Sequence, residues 1–174
     1  MKRFIFGLLV LLMFVFVTSG ALAESKLEGY LWSDPAGHFK VTIPNDFEFK
    51  GELPFSKGNP MIKLYRFEKK DSGEFLLLWW EHKSVHNLRT LDERVNWNID
   101  FFIKNGNGKK PIMRPFPYKK GKYWIQKTSD MTVLFFLRQD PKGNFVGYEY
   151  YKPLSMGSMD NIPTMLRYLS SFKF

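Results

Sequence analysis

The apolar residues of this chain recur with two periods, and the change from one to the other separates strands from helices. Phe39, Val41 and Ile43 alternate with His38, Lys40 and Thr42 up to Pro44, the period of two that marks a half-buried strand. A turn feeds it: Asp34 suits the first position of a type I turn, Pro35 the second and Gly37 the fourth. MIKLYRFEKK (Met61–Lys70) and EFLLLWWEH (Glu74–His82) are separated by Asp71-Ser72-Gly73 and read as a hairpin. The second run is apolar at consecutive positions, which predicts a central strand covered on both faces. The apolar run Thr132–Gln139 and the alternating run Phe145–Tyr151 flank Asp140-Pro-Lys-Gly-Asn, a second hairpin turn. The two D-P-x-G-x-F copies have unlike flanks, so shared turn chemistry explains them better than an internal repeat.

Helical spacing appears twice. Thr90-Leu-Asp-Glu93 is a capping-box signature, after which Val95, Ile99, Phe102 and Ile103 share a face until Asn105-Gly106 stops the run. A second helix is predicted from about Asp160 to Tyr168, with Pro163 in its first turn and Ile162, Met165, Leu166 and Leu169 on one side. Phe172 and Phe174 then alternate across Lys173, suggesting a short final strand or a tail docked on the core. Hairpins dominate and no βαβ alternation occurs. The expectation is an α+β domain, a mostly antiparallel β-sheet flanked by helices.

The first 23 residues follow a different logic. Lys2 and Arg3 precede an apolar core, Phe4–Val17, and small residues ending Ala21-Leu22-Ala23, which together read as a secretory signal with an A-x-A cleavage site. Its apolar run is short for a spanning helix, so no stable membrane span is expected once it is cleaved; a retained leader acting as an anchor is the alternative. Cleavage after Ala23 leaves residues 24–174, the length of a single domain. The chain has no cysteine, which excludes disulfides, thiolate metal sites and a lipoprotein anchor. Phe, Trp and Tyr make up 18% of it and supply the core instead. Without Lys2 and Arg3 there remain 24 basic and 17 acidic side chains, a net charge of +7. A basic exported protein meets anionic head groups, wall polymers and acidic proteins, whereas nucleic acid is not an expected partner there.

Two segments carry a resemblance. WSDPAGHFKVTIPNDF (Trp32–Phe47) and MLRYLSSFKF (Met165–Phe174) resemble the two ends of the PsbP-like (PsbP/Mog) superfamily of small α+β domains. Its members start with a Tyr/Trp-x-Asp-Pro-x-Gly-x-Phe strand and end with a Leu-x-Ser-Phe helix exit; the middle of this chain matches only in the order of its elements. The resemblance implies an antiparallel sheet sandwiched by helices and a role as an accessory or binding protein. It brings no catalytic residues, and Asp34–Phe39 accordingly reads as architecture and not as an active site.

Candidate chemistry is sparse. His82 and His86, with Glu81 or His38 as a third ligand, invite a metal-binding protein or metal-dependent enzyme as the alternative function. A zinc H-x-x-x-H pair needs one helical face, however, and an extended stretch would separate these two residues by roughly 13 Å. They read better as polar residues of a strand-to-helix loop. Met156, Met159 and Met165 suggest thioether ligands for Cu(I), but Met165 fits the apolar helix face and the others a loop or gap-filling role. Asn105-Gly-Asn-Gly-Lys-Lys110 has the flavour of a phosphate loop, yet it follows a helix and lacks the G-x-x-x-x-G-K-[ST] spacing. No G-x-S-x-G elbow or cysteine nucleophile is present, so no enzymatic activity, catalytic residue or cofactor is assigned.

The most distinctive surface signal is Lys104–Trp124, KNGNGKKPIMRPFPYKKGKYW, which is rich in Lys and Arg, holds no acid, is interleaved with aromatics and is stiffened by Pro111, Pro115 and Pro117. Lys109, Lys110, Arg114, Tyr118, Lys119, Lys120, Lys122 and Trp124 are the candidate partner-binding residues, suited to an anionic envelope glycan, a lipid head group or an acidic envelope protein. The competing reading is a solvated loop and hairpin whose lysines keep a basic protein soluble while Trp124 and its aromatic neighbours pack inward. A third reading is a subunit whose exposed sheet edge pairs with another protein.

Overall fold

The computed structural model describes residues 27–105, 111, 114–115 and 120–174. The leader Met1–Ala23, the start of the mature chain at Glu24, and Lys109, Lys110, Tyr118 and Lys119 lie outside the described residues, as does the glycine-rich stretch 106–110.

Turn chemistry sets the first unit. The Asp34–Gly37 turn folds β1 (Gly29–Ser33) back on β2 (Lys40–Pro44) as an antiparallel hairpin, with Trp32 opposite Val41 and Ser33 opposite Lys40. The other strands are β3 (Phe47–Glu52), β4 (Ile62–Lys69), β5 (Phe75–Glu81), β6 (Arg114–Pro115), β7 (Lys122–Lys127), β8 (Met131–Gln139) and β9 (Phe145–Pro153). They form one antiparallel sheet in the order β3-β4-β5-β9-β8-β7-β6. The β4–β5 and β8–β9 hairpins are those predicted from Asp71-Ser72-Gly73 and Asp140–Asn144, and β5 is central between β4 and β9.

Helix α1 (Leu91–Lys104) begins at the predicted capping box. The Thr90 hydroxyl accepts from the Glu93 backbone N–H at 3.2 Å, and the Glu93 carboxylate accepts from the Thr90 N–H at 3.0 Å. Helix α2 (Ile162–Ser170) starts and ends two residues later than its sequence pattern indicates, with Pro163 in the first turn where a missing N–H is harmless.

Alternation along the strands sorts the core into two layers. Leu76, Leu78 and Trp80 of β5, with Leu134, Phe136, Tyr148 and Tyr150 of the neighbouring strands, pack against Phe39, Val41 and Ile43 of the hairpin and Met165, Leu166 and Leu169 of α2. On the other face, Trp79, Trp124, Val133, Phe135 and Phe145 lie beneath Val95 and Ile99 of α1. The result is the expected α+β arrangement of an antiparallel sheet between helical layers, with the β1–β2 hairpin sharing the layer of α2.

The chain end closes the layer of α2 and the hairpin as a docked tail. Lys40 and Lys173 exchange backbone hydrogen bonds of 2.9 Å, Thr42 N–H donates to Ser171 Oγ at 2.8 Å, and Phe172 is buried while Phe174 is exposed. The sheet edges are poor templates for a further strand. β3 carries a register shift between Phe49 and Gly51, and β6 holds Pro115, which has no N–H to donate.

Candidate binding clefts at the twin turns

The two Asp-Pro-x-Gly turns come together at one end of the molecule, and each is built around a carboxylate that serves its own loop. In the first, the Asp34 carbonyl accepts from Gly37 N–H at 2.8 Å. Its buried carboxylate accepts from the N–H groups of Ala36 and His38 at 3.0 Å each, from His38 Nδ1 at 2.6 Å, and from the Tyr65 hydroxyl. Because a carboxylate only accepts, His38 carries its proton on Nδ1. In the second, the Asp140 carbonyl accepts from Gly143 N–H at 3.0 Å, and its carboxylate accepts from Lys142 N–H at 2.8 Å, Asn144 N–H at 2.9 Å and Asn144 Nδ2 at 2.9 Å.

Trp80 joins the two. Its indole stacks on the His38 ring at 3.8 Å and 11°, and its Nε1 donates to Asp140 Oδ2 at 3.4 Å. Burial, reinforced by the hydrogen bond to Asp34, pushes the Tyr65 hydroxyl well above the ordinary tyrosine range, so it stays a donor. Both aspartates are thus occupied in holding turns, the structural part expected of Asp34–Phe39.

The surface chemistry is left to other groups. A cleft of about 720 Å³ opens between the turns, lined by His38, Trp80, His82, Lys83, Lys142 and Phe174 among others, and Lys83 Nζ donates to the Lys142 carbonyl at 3.1 Å. A second cleft of about 580 Å³ shares the Asp140-Pro141 wall and is completed by Leu91, Lys120, Arg138 and Gln139. Arg138 is the notable group there. Its guanidinium lies 4.4 Å over the Phe174 ring, and its Nε and Nη1 are buried with no hydrogen-bond partner among the described residues. Burial lowers its pKa, with Asp140 opposing, and the group remains a cation with donors to spare.

Of the residues singled out in the sequence, Lys120 is exposed at this second cleft and Arg114 is exposed on edge strand β6. Lys122 is half-buried and paired to Asp92 at 2.5 Å. Trp124 is 1% exposed and stacked on Phe135 at 4.9 Å, because the β7–β8 register turns it under α1. Its indole belongs to the core and not to a partner surface. Arg138, Lys83 and Lys142 were not singled out; their only signal was basic residues placed beside the second Asp-Pro-x-Gly turn and at the end of β5.

His82 and His86 go separate ways. His82 Nδ1 lies 2.8 Å from Ser84 Oγ, while His86 Nε2 is 3.3 Å from Glu81 and stacks on Trp97. Among the described residues, no group of three or more His, Cys, Asp or Glu is placed to hold a metal ion. Met159 and Met165 are core residues and Met156 is exposed.

No protein-family model matches the sequence, and no curated protein matches it. The solution structure of cyanobacterial PsbP (CyanoP) from Synechocystis sp. PCC 6803 superposes with a TM-score of 0.54 at 12% identity, covering 87% of this chain and 95% of that one. This chain has a PsbP-like fold. At that identity the likeness is one of fold and transfers no residue. Within the PsbP-like fold, the two segments that carried the sequence resemblance are neighbours: the tail after α2 is bonded to β2 through Lys40–Lys173 and Thr42–Ser171. Among the described residues of this PsbP-like chain, no helix is long and apolar enough to cross a membrane.

Proposed function

We propose that the protein is an exported, non-catalytic accessory domain, residues 24–174, that binds an anionic component of the cell envelope at its basic end. Lys120 and Arg138 form the centre of the surface, with Lys83 and Lys142 to one side and Arg114 on the β6 edge. The observation that carries this reading is Arg138, which lines the cleft that also presents Lys120 and whose Nε and Nη1 are buried with no hydrogen-bond partner among the described residues. A buried donor without a partner is unfavourable, and a phosphate, sulfate or carboxylate that accepts from a guanidinium fork relieves it. The net charge of +7 steers such ligands to the surface, and Phe174 beneath the guanidinium supplies the aromatic element first sought in Trp124.

The test is cosedimentation with anionic and neutral liposomes and with purified envelope polysaccharide, across a salt series. Binding is expected to weaken with salt, because screening removes the attraction, and to be lost in Arg138→Gln combined with Lys120→Glu. Binding lost on changing Lys109, Lys110 and Lys119 to Glu, but kept in the Arg138→Gln variant, moves the site to those three lysines. No binding at low salt by the folded protein overturns the proposal.

A further inference from the structure

The face of the sheet beneath α1 holds a second, chemically different site. Helix α1 packs over β8 and leaves a strip of β4 and β5 only half covered, with Ile62, Leu64 and Leu77 all partly accessible. Beside that strip is a groove of about 290 Å³ lined by Phe55, Leu64, Trp79, Arg94, Trp97 and Phe101 among others. It shares no residue with either basic cleft. Phe55, Phe101 and Trp97 are 67%, 50% and 36% exposed, a concentration of aromatic surface in water that isolated surface residues do not produce. The α1 wall is a preformed stack, with His86 on Trp97 at 4.2 Å and Trp97 on Phe101 at 5.5 Å.

The floor determines what fits. Arg94, with a side chain 6% exposed, donates from Nε and Nη2 to the two oxygens of Glu81 at 2.9 and 3.1 Å, and its guanidinium lies 4.9 Å over Trp79 and 4.6 Å over Trp97. Its remaining nitrogen, Nη1, is buried with no partner among the described residues. Glu149 has both oxygens engaged, accepting from Trp79 Nε1 at 3.1 Å and from the Tyr151 hydroxyl at 2.5 Å. Arg94 and Glu81 neutralise one another, both Glu149 oxygens are taken by neutral donors, and one donor is left over. An anionic ligand would lie against the Glu81 and Glu149 carboxylates, and a cationic one would find each of their oxygens already accepting a hydrogen bond. A sugar would bring several hydroxyls for one donor, and an alkyl tail would bring no acceptor. An apolar side chain with a main-chain carbonyl beside it supplies a body for the aromatic walls and one neutral acceptor for Nη1.

We infer that this groove receives a single apolar anchor side chain, aromatic or branched aliphatic, of a partner polypeptide, whose adjacent main-chain carbonyl accepts a hydrogen bond from Arg94 Nη1. The inference goes beyond anion binding and is independent of it, since the two sites have no residue in common.

The test is NMR titration of the purified protein carrying ¹⁵N-labelled indoles, with four capped tripeptides: acetyl-glycyl-X-glycinamide with leucine, phenylalanine, glutamate or lysine as X. The leucyl and phenylalanyl probes are expected to shift the Trp79 and Trp97 indole signals saturably, and to bind about tenfold more tightly than the charged probes. Trp97→Ala with Phe101→Ala should abolish the response of the Trp79 indole in a protein that still unfolds cooperatively in urea. Arg94→Lys keeps a cation for Glu81 but loses the fork; it should weaken the peptides and leave toluene, which has no acceptor, unaffected. If Arg94→Lys fails to fold, the comparison of toluene with the leucyl probe on the parent protein still reads the carbonyl contribution. The inference is overturned if no tripeptide gives a saturable shift or if charged and apolar probes respond alike. It is equally overturned if the indoles answer methyl glucoside or phosphatidylcholine bicelles and not the peptides, which would assign the groove to a glycan or a lipid.

Discussion

Gly147 lies in β9 directly opposite Trp79 of β5, and the indole fills the space that a side chain at residue 147 would need. A Cβ built there falls 1.9 Å from Trp79 Cε2, 2.1 Å from Cζ2 and 2.4 Å from Nε1, where carbon atoms in contact stand roughly 3.5 to 4.0 Å apart. In Gly147→Ala the indole must therefore move by more than an ångström or the strand must bow. Overpacking of this kind costs about 1–3 kcal/mol. Movement of the indole also breaks the hydrogen bond from Nε1 to Glu149, leaving a buried acceptor under-satisfied for about another 1–3 kcal/mol. The lower backbone entropy of alanine returns about 0.5–1 kcal/mol. The net destabilisation is about 1–5 kcal/mol, and with a urea slope of about 2 kcal/mol per molar the midpoint falls by about 0.5–2.5 M. Trp79→Leu removes the three atoms that a Cβ would meet, so the double variant should be less destabilised than the sum of the two single variants. A Gly147→Ala midpoint close to that of the parent protein, or strict additivity in the cycle, would refute this account of the Trp79 pocket.

Two further outcomes follow from buried polar groups. Burial raises the Glu149 pKa above its ordinary value of 4.5, so the unfolded chain gives up this proton at lower pH than the folded one. Its contribution to stability is then greatest below pH 4.5 and is lost as the pH rises toward the folded value. Glu149→Gln, which keeps an acceptor for Trp79 and turns an amide donor to the Tyr151 oxygen, should raise the urea midpoint at pH 7 to 8 and lose that advantage in acid; a pH-independent difference would contradict it. Tyr65→Phe removes one donor from the buried Asp34 carboxylate and should cost about 1.5–3 kcal/mol, with Tm falling by about 2–4 °C per kcal/mol. An unchanged Tm would mean that Asp34 does not depend on Tyr65.

The elements that could be read in the sequence are those with local signals. Asp71-Ser72-Gly73 and Asp140–Asn144 mark turns within a few residues, and Thr90–Glu93 marks a helix start by itself, so β4, β5, β8, β9 and α1 emerged in place. β1 gave no alternation because Tyr30 and Leu31 are both exposed, and β3 is broken by its register shift at Phe49 and Gly51. β7 hides among lysines, and one of its buried positions is the polar Gln126. The site was less legible for the same reason. Lys120 belonged to a visible run of charge, but its neighbour Arg138 comes from another strand, and the inward turn of Trp124 depends on pairing with Phe135. That two like turns would meet across Trp80, or that Arg94 would find Glu81 beside Glu149, depends on strand order, which no local pattern encodes.

The β1–β2 hairpin exchanges no ladder hydrogen bonds with the seven-stranded sheet; it is held by side chains and by its bonds to the tail after α2. Its two strands therefore form a clasp whose release leaves every rung of the main ladder intact. Because Lys40 is tied to Lys173, the beginning and the end of the folded chain let go together. Amide protons of β2 should exchange with water through this partial opening, long before those of β5 and β9, which wait for the whole sheet to come apart. The molecule thus keeps two clocks, a fast one for the clasp that bears His38 and the tail, and a slow one for the sheet that bears Trp79 and Arg138.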